Sequence, residues 1–205
     1  MLQINAVPTR TMDILKLLAS QPCLESFYLV GGTALSLQIG HRLSYDLDFF
    51  SSGKNDLEMI QNELLQLDHI RLKTRSDYAL FMEYESIKID ILNYGYRFIY
   101  PPVSYGNIKL ANLKDIAAMK LKTIMNRGAK RDFYDIYFLL EVFSLEYMLE
   151  LFRIKYENIE PIAIYKSLCY FEDAEGQEDP ILLVNTALTW ERVKNRMIQE
   201  TKNLL

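Results

Sequence analysis

The sequence contains little histidine, cysteine and glycine. Its 205 residues include two histidines, two cysteines and eight glycines. His41 and His69 are too few for a histidine-based metal centre, and they supply almost no material for a Ser-His-Asp triad. Cys23 and Cys169 lie far apart, and neither has a cysteine or histidine neighbour at zinc-ligand spacing. We therefore expect any catalysis to depend on carboxylates, lysines and a metal ion.

Long apolar runs and an excess of positive charge are also missing. No stretch approaches the ~20 apolar residues that cross a bilayer, and the N-terminus has no secretory pattern. These features predict a cytoplasmic protein with no membrane partner. The net charge of −4 argues against broad coating of nucleic acid. Residues 109–131, however, hold seven Lys or Arg against one acid, which favours a phosphate-rich ligand for this segment.

The pattern of apolar residues divides the chain into two parts. The first part alternates helical and strand-like segments, whereas the sequence is helical from about Leu113 onward. Residues 94–107 contain two prolines and two glycines and are predicted to form a loop. This order predicts an α+β (mixed α/β) fold. We place an α/β core with an N-terminal helix at 1–107 and a helical C-terminal subdomain at 108–205.

Two acids in the segment "YDLDFFS" form the first candidate site. Side chains alternate between the faces of a strand, so Asp46 and Asp48 project to one side and Leu47 and Phe49 to the other. Neighbouring carboxylates repel unless a cation neutralises them, and hard oxygen ligands suit Mg²⁺ or Mn²⁺. For this motif alone, the simpler interpretation is a half-exposed strand with two solvated acids.

The segment "KIDIL" repeats the same design. Lys88 and Asp90 share one face of a predicted strand, and three isoleucines form the other face. If this strand pairs with the strand of Asp46 and Asp48, three carboxylates meet at one edge of the sheet. Such a group can bind two metal ions and support phosphoryl or nucleotidyl transfer.

A double glycine lies where the first predicted strand turns into a helix. Gly31 and Gly32 permit positive φ and close approach of the main chain to a ligand, and the following helix N-terminus favours phosphate. Thr33 can add a hydroxyl group. The alternative is a tight strand-to-helix turn that Thr33 caps.

The helical half contributes two cations and two acids. At 100° per residue, Lys120 and Arg127 lean toward the apolar face of the helix "LKDIAAMKLKTIMNRG". A triphosphate would neutralise them. The alternatives are a Lys120 side chain that reaches solvent and an Arg127 that interacts with the helix dipole. Asp132 and Asp135 equally suit a cap of the next helix.

The predicted loop and its borders are rich in tyrosine. Aromatic rings stack on nucleobases with little sequence preference. A base-stacking rim is therefore one interpretation of four tyrosines near the loop, namely Tyr94, Tyr96, Tyr100 and Tyr105.

Four motifs in a fixed order carry a family resemblance. "GGTAL", "RLSYDLDF", "KID" and "AAMKLKTIMNRGAKRDFYDIYFLL" resemble the AbiEii/AbiGii-type nucleotidyltransferase toxins, over roughly residues 27–143. Thr33 stands where related enzymes often have Ser. The resemblance implies the polymerase-β-like nucleotidyltransferase fold, which has a mixed β-sheet flanked by helices and then a helical subdomain. It also implies an NTP as substrate and Mg²⁺ or Mn²⁺ as cofactor.

The resemblance also implies roles for individual residues. Asp46, Asp48 and Asp90 correspond to the catalytic metal ligands. The remaining motif positions are implied to bind the nucleotide, and they are Gly31, Gly32, Thr33, Lys88, Lys120, Arg127, Arg131, Asp132 and Asp135.

The leading functional hypothesis is a Mg²⁺-dependent transfer of NMP from an NTP to a hydroxyl acceptor. By resemblance, the acceptor is an RNA such as tRNA, or a protein, and the chain is the toxin of a toxin–antitoxin or abortive-infection system with a cognate antitoxin. Two alternatives remain. One is a non-catalytic nucleotide-binding or interaction protein that keeps the fold, and the other is a nucleotidyltransferase that acts on an antibiotic-type small molecule.

Overall fold

A computed structural model describes residues 2–204 and divides them into two compact units. The first unit ends at Asn112 and the second begins at Leu113. The predicted boundary after residue 107 falls just before a strand, 108–110, that belongs to the sheet of the first unit. Within the described residues, no helix is both long and apolar enough to cross a membrane.

The first unit is a mixed sheet with helices. Its α-helices are α1 (Thr9–Ala19), α2 (Gly31–Ile39) and α3 (Leu57–Leu64), and two short 3-10 helices cover Ile4–Ala6 and Pro22–Leu24. Its strands are β1 (Tyr28–Val30), β2 (Leu47–Ser51), β3 (Ile70–Arg75), β4 (Ala79–Tyr84), β5 (Ile87–Asn93), β6 (Val103–Tyr105) and β7 (Ile108–Leu110).

The strands of the described residues form one seven-stranded sheet. Their order is β3-β4-β5-β2-β1-β7-β6. The pairs β2–β5 and β1–β7 are parallel, and the other neighbours are antiparallel. The prediction of a mixed α/β fold is confirmed. The prediction of a continuous loop over 94–107 is wrong in part, because β6 pairs with β7 through a turn in which Gly106 has a φ of 58°.

Alternating side chains explain how this sheet is packed. In β2, Leu47 and Phe49 are buried, whereas Asp48 and Phe50 are half-buried. One face of the strand therefore joins the apolar core and the other carries the acid. Helix α2 ends at Gly40, whose φ of 68° is the left-handed conformation that glycine adopts readily at helix ends.

The second unit is helical throughout. Its helices are α4 (Leu113–Asn126), α5 (Lys130–Leu139), α6 (Leu145–Lys155), α7 (Ile162–Leu168), α8 (Glu172–Glu175) and α9 (Trp190–Lys202). Ser144 and Thr189 cap α6 and α9 by accepting hydrogen bonds from main-chain N–H groups. Large aromatic side chains fill the core of this unit, and Phe133, Tyr134, Phe152 and Tyr156 are fully buried.

Candidate active site

The two acidic strands are neighbours in the sheet. Strands β2 and β5 run parallel, and Asp48 lies directly opposite Asp90. Asp46 precedes β2 by one residue and is half-buried. The pairing on which the three-carboxylate hypothesis depends is therefore present, with Asp48 and Asp90 on the same face at one position of the ladder.

The start of α2 lies against this acid pair. Gly31 has a φ of 69°, and a Cβ atom built on it would overlap Asp48 Oδ2. A Cβ atom on Gly32 would overlap the guanidinium of Arg42. Gly31 thus has two reasons to be glycine, a left-handed conformation and close contact with a carboxylate, while Gly32 has only the close contact.

Thr33 connects α2 to the acidic strand. Its side chain is 1% exposed, its hydroxyl donates a hydrogen bond to the main-chain oxygen of Asp46, and Ser44 Oγ lies 2.8 Å away. The alternative in which Thr33 caps the helix is wrong, because the N-cap residue is Val30. The contacts of Thr33 position the residue before β2.

Arg42 is a supporting residue that the sequence motifs did not single out. It is 5% exposed, its guanidinium contacts Gly32, and Nη1 donates a hydrogen bond to the main-chain oxygen of Leu43 over 2.9 Å. A signal existed, since this arginine opens the motif "RLSYDLDF" between the glycines and the acids. Burial of a charged side chain at that point indicates that it supports the turn of α2.

Asp90 has one paired and one unpaired carboxylate oxygen. Oδ2 lies 2.7 Å from Lys88 Nζ. Oδ1 is buried and has no hydrogen-bond partner within residues 2–204. An orphaned buried carboxylate oxygen beside a second carboxylate suits a hard cation. Over the same residues, no three His, Cys, Asp or Glu side chains are grouped as a metal site, so the metal-ligand assignment stays a prediction.

The residues of the last motif form a second cluster, in the helical unit. Lys120 Nζ pairs with Asp132 Oδ1 at 2.8 Å and also with Asp135 Oδ2. Arg127 Nε lies 3.1 Å from Asp132 Oδ2. Lys120, Asp132 and Asp135 are buried, whereas Arg127 is half-exposed and Arg131 is exposed. These ion pairs join α4 to α5.

The contacts of this cluster rule out the simpler interpretations of Lys120, Asp132 and Asp135. Lys120 does not reach solvent, because its ammonium group is held by two buried acids. Asp132 and Asp135 do not cap α5, since its N-cap residue is Ala129. The structure therefore places the predicted residues in two groups, one in each unit.

Residues 13–203 match the family described as nucleotidyl transferase AbiEii toxin, type IV toxin–antitoxin system. This chain belongs to that family. The match spans nearly the whole chain and includes both groups of predicted residues. The predicted membership of the AbiEii family is confirmed, and with it the enzyme class, nucleotidyltransferase.

Three other proteins match this chain over most of their length. An uncharacterized protein of Aquifex aeolicus (strain VF5) is 33% identical over 199 residues, which cover 94% of this chain and 95% of that protein. JHP933 of Helicobacter pylori has a TM-score of 0.55 at 18% identity, covering 97% of this chain and 93% of its own. MenT4, a nucleotidyltransferase toxin of Mycobacterium tuberculosis H37Rv, has a TM-score of 0.53 at 16% identity, covering 97% and 87%. At these identities the two solved structures show a shared fold.

The close contact at Gly31 makes a substitution there informative. If Asp48 serves the reaction, we expect Gly31→Ala to lower transfer by about a hundredfold, because the new Cβ would displace the Asp48 carboxylate and a misplacement of ~1 Å can cost about that much. The measurement is kcat/KM for pyrophosphate release. Gly106→Ala is the matched control, since Gly106 also has a positive φ but no atom within 4 Å of its Cβ position. Equal activity of the two variants would show that the Gly31–Asp48 contact is unimportant.

Proposed function

We propose that this AbiEii-family protein transfers a nucleoside monophosphate from an NTP to an acceptor hydroxyl, with Asp46, Asp48 and Asp90 holding Mg²⁺ or Mn²⁺. The observation that carries the proposal is the position of Asp48 opposite Asp90 on parallel strands, against the N-terminus of α2. This arrangement brings carboxylates and main-chain N–H groups to one place. Both are groups that a metal-bound triphosphate requires.

In the proposed site, the residues of the first unit have separate roles in binding the phosphates and the metal ion. The first turn of α2, at Gly31 and Gly32, offers N–H groups and the positive end of the helix dipole to the phosphates. A bound metal ion would neutralise the triphosphate and polarise the phosphoryl group under attack. Lys88, whose side chain is 57% exposed, would add positive charge beside Asp90.

The proposed reaction is an in-line displacement. The acceptor oxygen attacks the α-phosphorus and forms a new P–O bond, while the bond from the α-phosphorus to the bridging oxygen breaks and pyrophosphate leaves. The Asp90 carboxylate would share the metal ion and help to remove the proton of the acceptor hydroxyl. Thr33 and Arg42 hold the glycine turn and the acidic strand in place during this step.

We infer two roles for the later motif residues. Arg127 is half-exposed and Arg131 is exposed, and both are proposed to contact the nucleotide. Lys120, Asp132 and Asp135 are also proposed to serve nucleotide binding, by fixing the position of Arg127 through the shared Asp132. The family match through residue 203 supports a functional role for this half of the chain.

The acceptor and the partner are also proposals. We propose an RNA or protein acceptor and a cognate antitoxin, and the support is the description of the family as the toxin of a type IV toxin–antitoxin system.

The experiment that tests the function is a transfer assay with purified protein. Each of the four NTPs, labelled at the α-phosphate, is incubated with Mg²⁺ and either total RNA or lysate protein. We expect labelled acceptor and released pyrophosphate, both lost with a chelator and restored by added Mg²⁺. Calorimetric binding of NTP with no transfer to any acceptor would instead support a non-catalytic nucleotide-binding protein.

Lys88 provides a separate test of metal binding. Because its ammonium group lies 2.7 Å from Asp90 Oδ2, we expect Lys88→Met to raise the affinity for Mn²⁺ several-fold by removing a positive charge beside the proposed metal site. Electron paramagnetic resonance of bound Mn²⁺ measures the affinity. Lys73→Met is the control, since Lys73 pairs with Glu83 at 2.9 Å elsewhere in the sheet. An unchanged affinity in Lys88→Met would argue against Asp90 as a metal ligand.

A further inference from the structure

The face of the sheet that carries the acids extends from β5 across β4 to the edge strand β3. Residues that pair across neighbouring strands share a face. Lys88 of β5 lies opposite Glu83 of β4, and Glu83 lies opposite Arg71 of β3. Because Lys88 shares the face of Asp90, Glu83 and Arg71 lie on that face as well. A row of charged side chains thus leads from the acid pair to the edge of the sheet.

A β-bulge in the edge strand adds a third cation to this row. The pairing of β3 with β4 shifts between Leu72 and Thr74, so Lys73 is an extra residue in β3. Its ammonium group lies 2.9 Å from Glu83 Oε2, which places it on the acid-bearing face. Bulges are common next to active sites, where they redirect side chains. We call three residues the basic strip, namely Arg71, Lys73 and Lys88.

The bulge also sends the next arginine of β3 to the other face. Regular alternation would put Arg71 and Arg75, four residues apart, on the same face. After the bulge, Arg75 lies opposite the fully buried Leu80, and its guanidinium is 3.5 Å from Glu58 of α3. The two arginines therefore lie on opposite faces of the sheet, and only Arg71 belongs to the basic strip.

The cations of the basic strip are accessible to a ligand. The side chains of Lys73 and Lys88 are 56% and 57% exposed, and Arg71 is also exposed. The pair of Lys73 with Glu83 is partly exposed, and surface pairs of this kind contribute only about 0–1 kcal/mol. Lys73 can therefore exchange its carboxylate partner for a phosphate oxygen at little cost.

The position of the basic strip assigns it to the acceptor rather than to the NTP. The order of the strands places β1, with the glycine turn that follows it, on one side of the acids, and β4 and β3 on the other. In an in-line displacement the attacking oxygen approaches from the side opposite to the leaving group. If the leaving pyrophosphate lies at the glycine turn, the acceptor approaches over the strands of the basic strip.

The dimensions of the strip suit a short length of nucleic acid. Neighbouring strands are about 4.8 Å apart, so β3 lies roughly 10 Å from the strand of Asp90. Stacked nucleotides of one strand rise ~3.4 Å each. A chain whose terminal hydroxyl lies at Asp48 and Asp90 therefore spans the distance to Arg71 with about its last three nucleotides.

We infer that the basic strip binds the backbone phosphates of a nucleic-acid acceptor, next to the end that is modified. The inference rests on the proposed function for its direction. Contacts of lysine and arginine with phosphate fix the position of a nucleic acid without reading its bases. Each such contact releases a counterion, so binding at the strip should weaken as the salt concentration rises.

The test is the salt dependence of binding of a fluorescent single-stranded RNA to the full chain, measured by anisotropy. We expect Arg71→Met to weaken binding and to make the slope of log K against log salt less steep by about 0.7, the value of one phosphate contact on a single strand. Arg71→Met combined with Lys73→Met should change the slope by about 1.4. Arg75→Met is the matched control, because it removes the same charge from the opposite face of the same strand. Its slope should equal that of the unaltered chain.

The NTP provides a second arm of the test. The calorimetric affinity for an NTP with Mg²⁺ should be the same in Arg71→Met and in the unaltered chain, because the basic strip and the glycine turn lie on opposite sides of the acids. In the transfer assay, Arg71→Met should raise the RNA concentration that gives half-maximal labelling and leave the KM for the NTP unchanged.

Three results would overturn the inference. They are equal salt slopes in Arg71→Met and Arg75→Met, a loss of NTP affinity in Arg71→Met, and labelling of protein but not of RNA in the transfer assay. Binding of RNA needs no turnover. Binding that depends on Arg71 in a chain that transfers nothing would therefore reject the proposed function and leave the basic strip as a nucleic-acid-binding surface.

Discussion

Replacing Asp46 and Asp48 together by asparagine is expected to reduce nucleotidyl transfer at least about a thousandfold. Asparagine keeps the shape of each side chain but removes the charge that a hard cation requires. Metal-ion catalysis supplies several kcal/mol of transition-state stabilisation, and each ~1.4 kcal/mol is a factor of ten in rate. Release of pyrophosphate and labelling of the acceptor are the two measurements.

The same variant should remain folded. Both replacements keep the size of the side chain and leave the apolar face with Leu47 and Phe49 unchanged. We expect the variant to unfold cooperatively, with a melting temperature close to that of the unaltered chain. Asp68→Asn, at an exposed acid between α3 and β3, is the matched control and should keep full activity. Transfer that survives the double replacement would contradict the mechanism.

Growth of a bacterial host gives a second readout of that variant. If transfer is the toxic activity, induced expression of the unaltered chain should arrest growth, and the double asparagine variant should not. Growth arrest by both proteins would show that toxicity does not depend on the two carboxylates.

Periodicity predicts the faces of the acidic strands but not their partners. The alternation in "YDLDFFS" and "KIDIL" is enough to place Asp46 with Asp48 and Lys88 with Asp90. That Asp48 lies opposite Asp90 depends on which strands pair and in what register, and a single strand pattern does not contain this information. The sequence thus predicts which residues are candidate metal ligands. Their positions relative to one another can be known only from the three-dimensional structure.

Local sequence patterns do not predict three other features, and each has a physical reason. Strand β6 is three residues long and lies in a segment rich in proline and glycine, so only its pairing with β7 reveals it. The inward lean of Lys120 follows from helical spacing. Its partners on α5 do not, because an ion pair between helices depends on their packing. Thr33 and Arg42 are likewise visible as motif letters, but their burial is not.

A buried ion pair in the helical unit gives the largest expected effect on stability. Lys155 Nζ on α6 lies 2.7 Å from Asp115 Oδ1 on α4, and both side chains are fully buried. We expect Asp115→Asn to lower the free energy of unfolding by about 3–5 kcal/mol, because the ammonium group stays buried without this carboxylate. Chemical denaturation measures the change. Glu141→Gln, which breaks an exposed pair with Arg196 in the same unit, should cost at most about 1 kcal/mol.

The pH dependence of that loss follows from Lys155. Burial lowers the pKa of Lys155 below its ordinary 10.5, and Asp115 partly opposes this shift. Between the lowered pKa and 10.5 the unfolded chain binds more protons than the folded chain, so this lysine makes the free energy of unfolding rise with pH in that range. Without Asp115 the pKa falls further and the range begins at lower pH. The Asp115→Asn defect should therefore be smaller near about pH 9.5 than near about pH 7.

Replacing both members of the pair separates charge from packing. Asp115→Leu with Lys155→Met removes the buried charges and keeps apolar volume, and such exchanges are often neutral or stabilising by about 1–4 kcal/mol. We expect this double variant to recover most of the stability that Asp115→Asn loses, and to show no pH-dependent gain between about pH 7 and about pH 9.5. The opposite result is a double variant as unstable as Asp115→Asn. It would show that the packing of α4 against α6 requires the ion pair itself, and that a buried charge is not the cause of the lost stability.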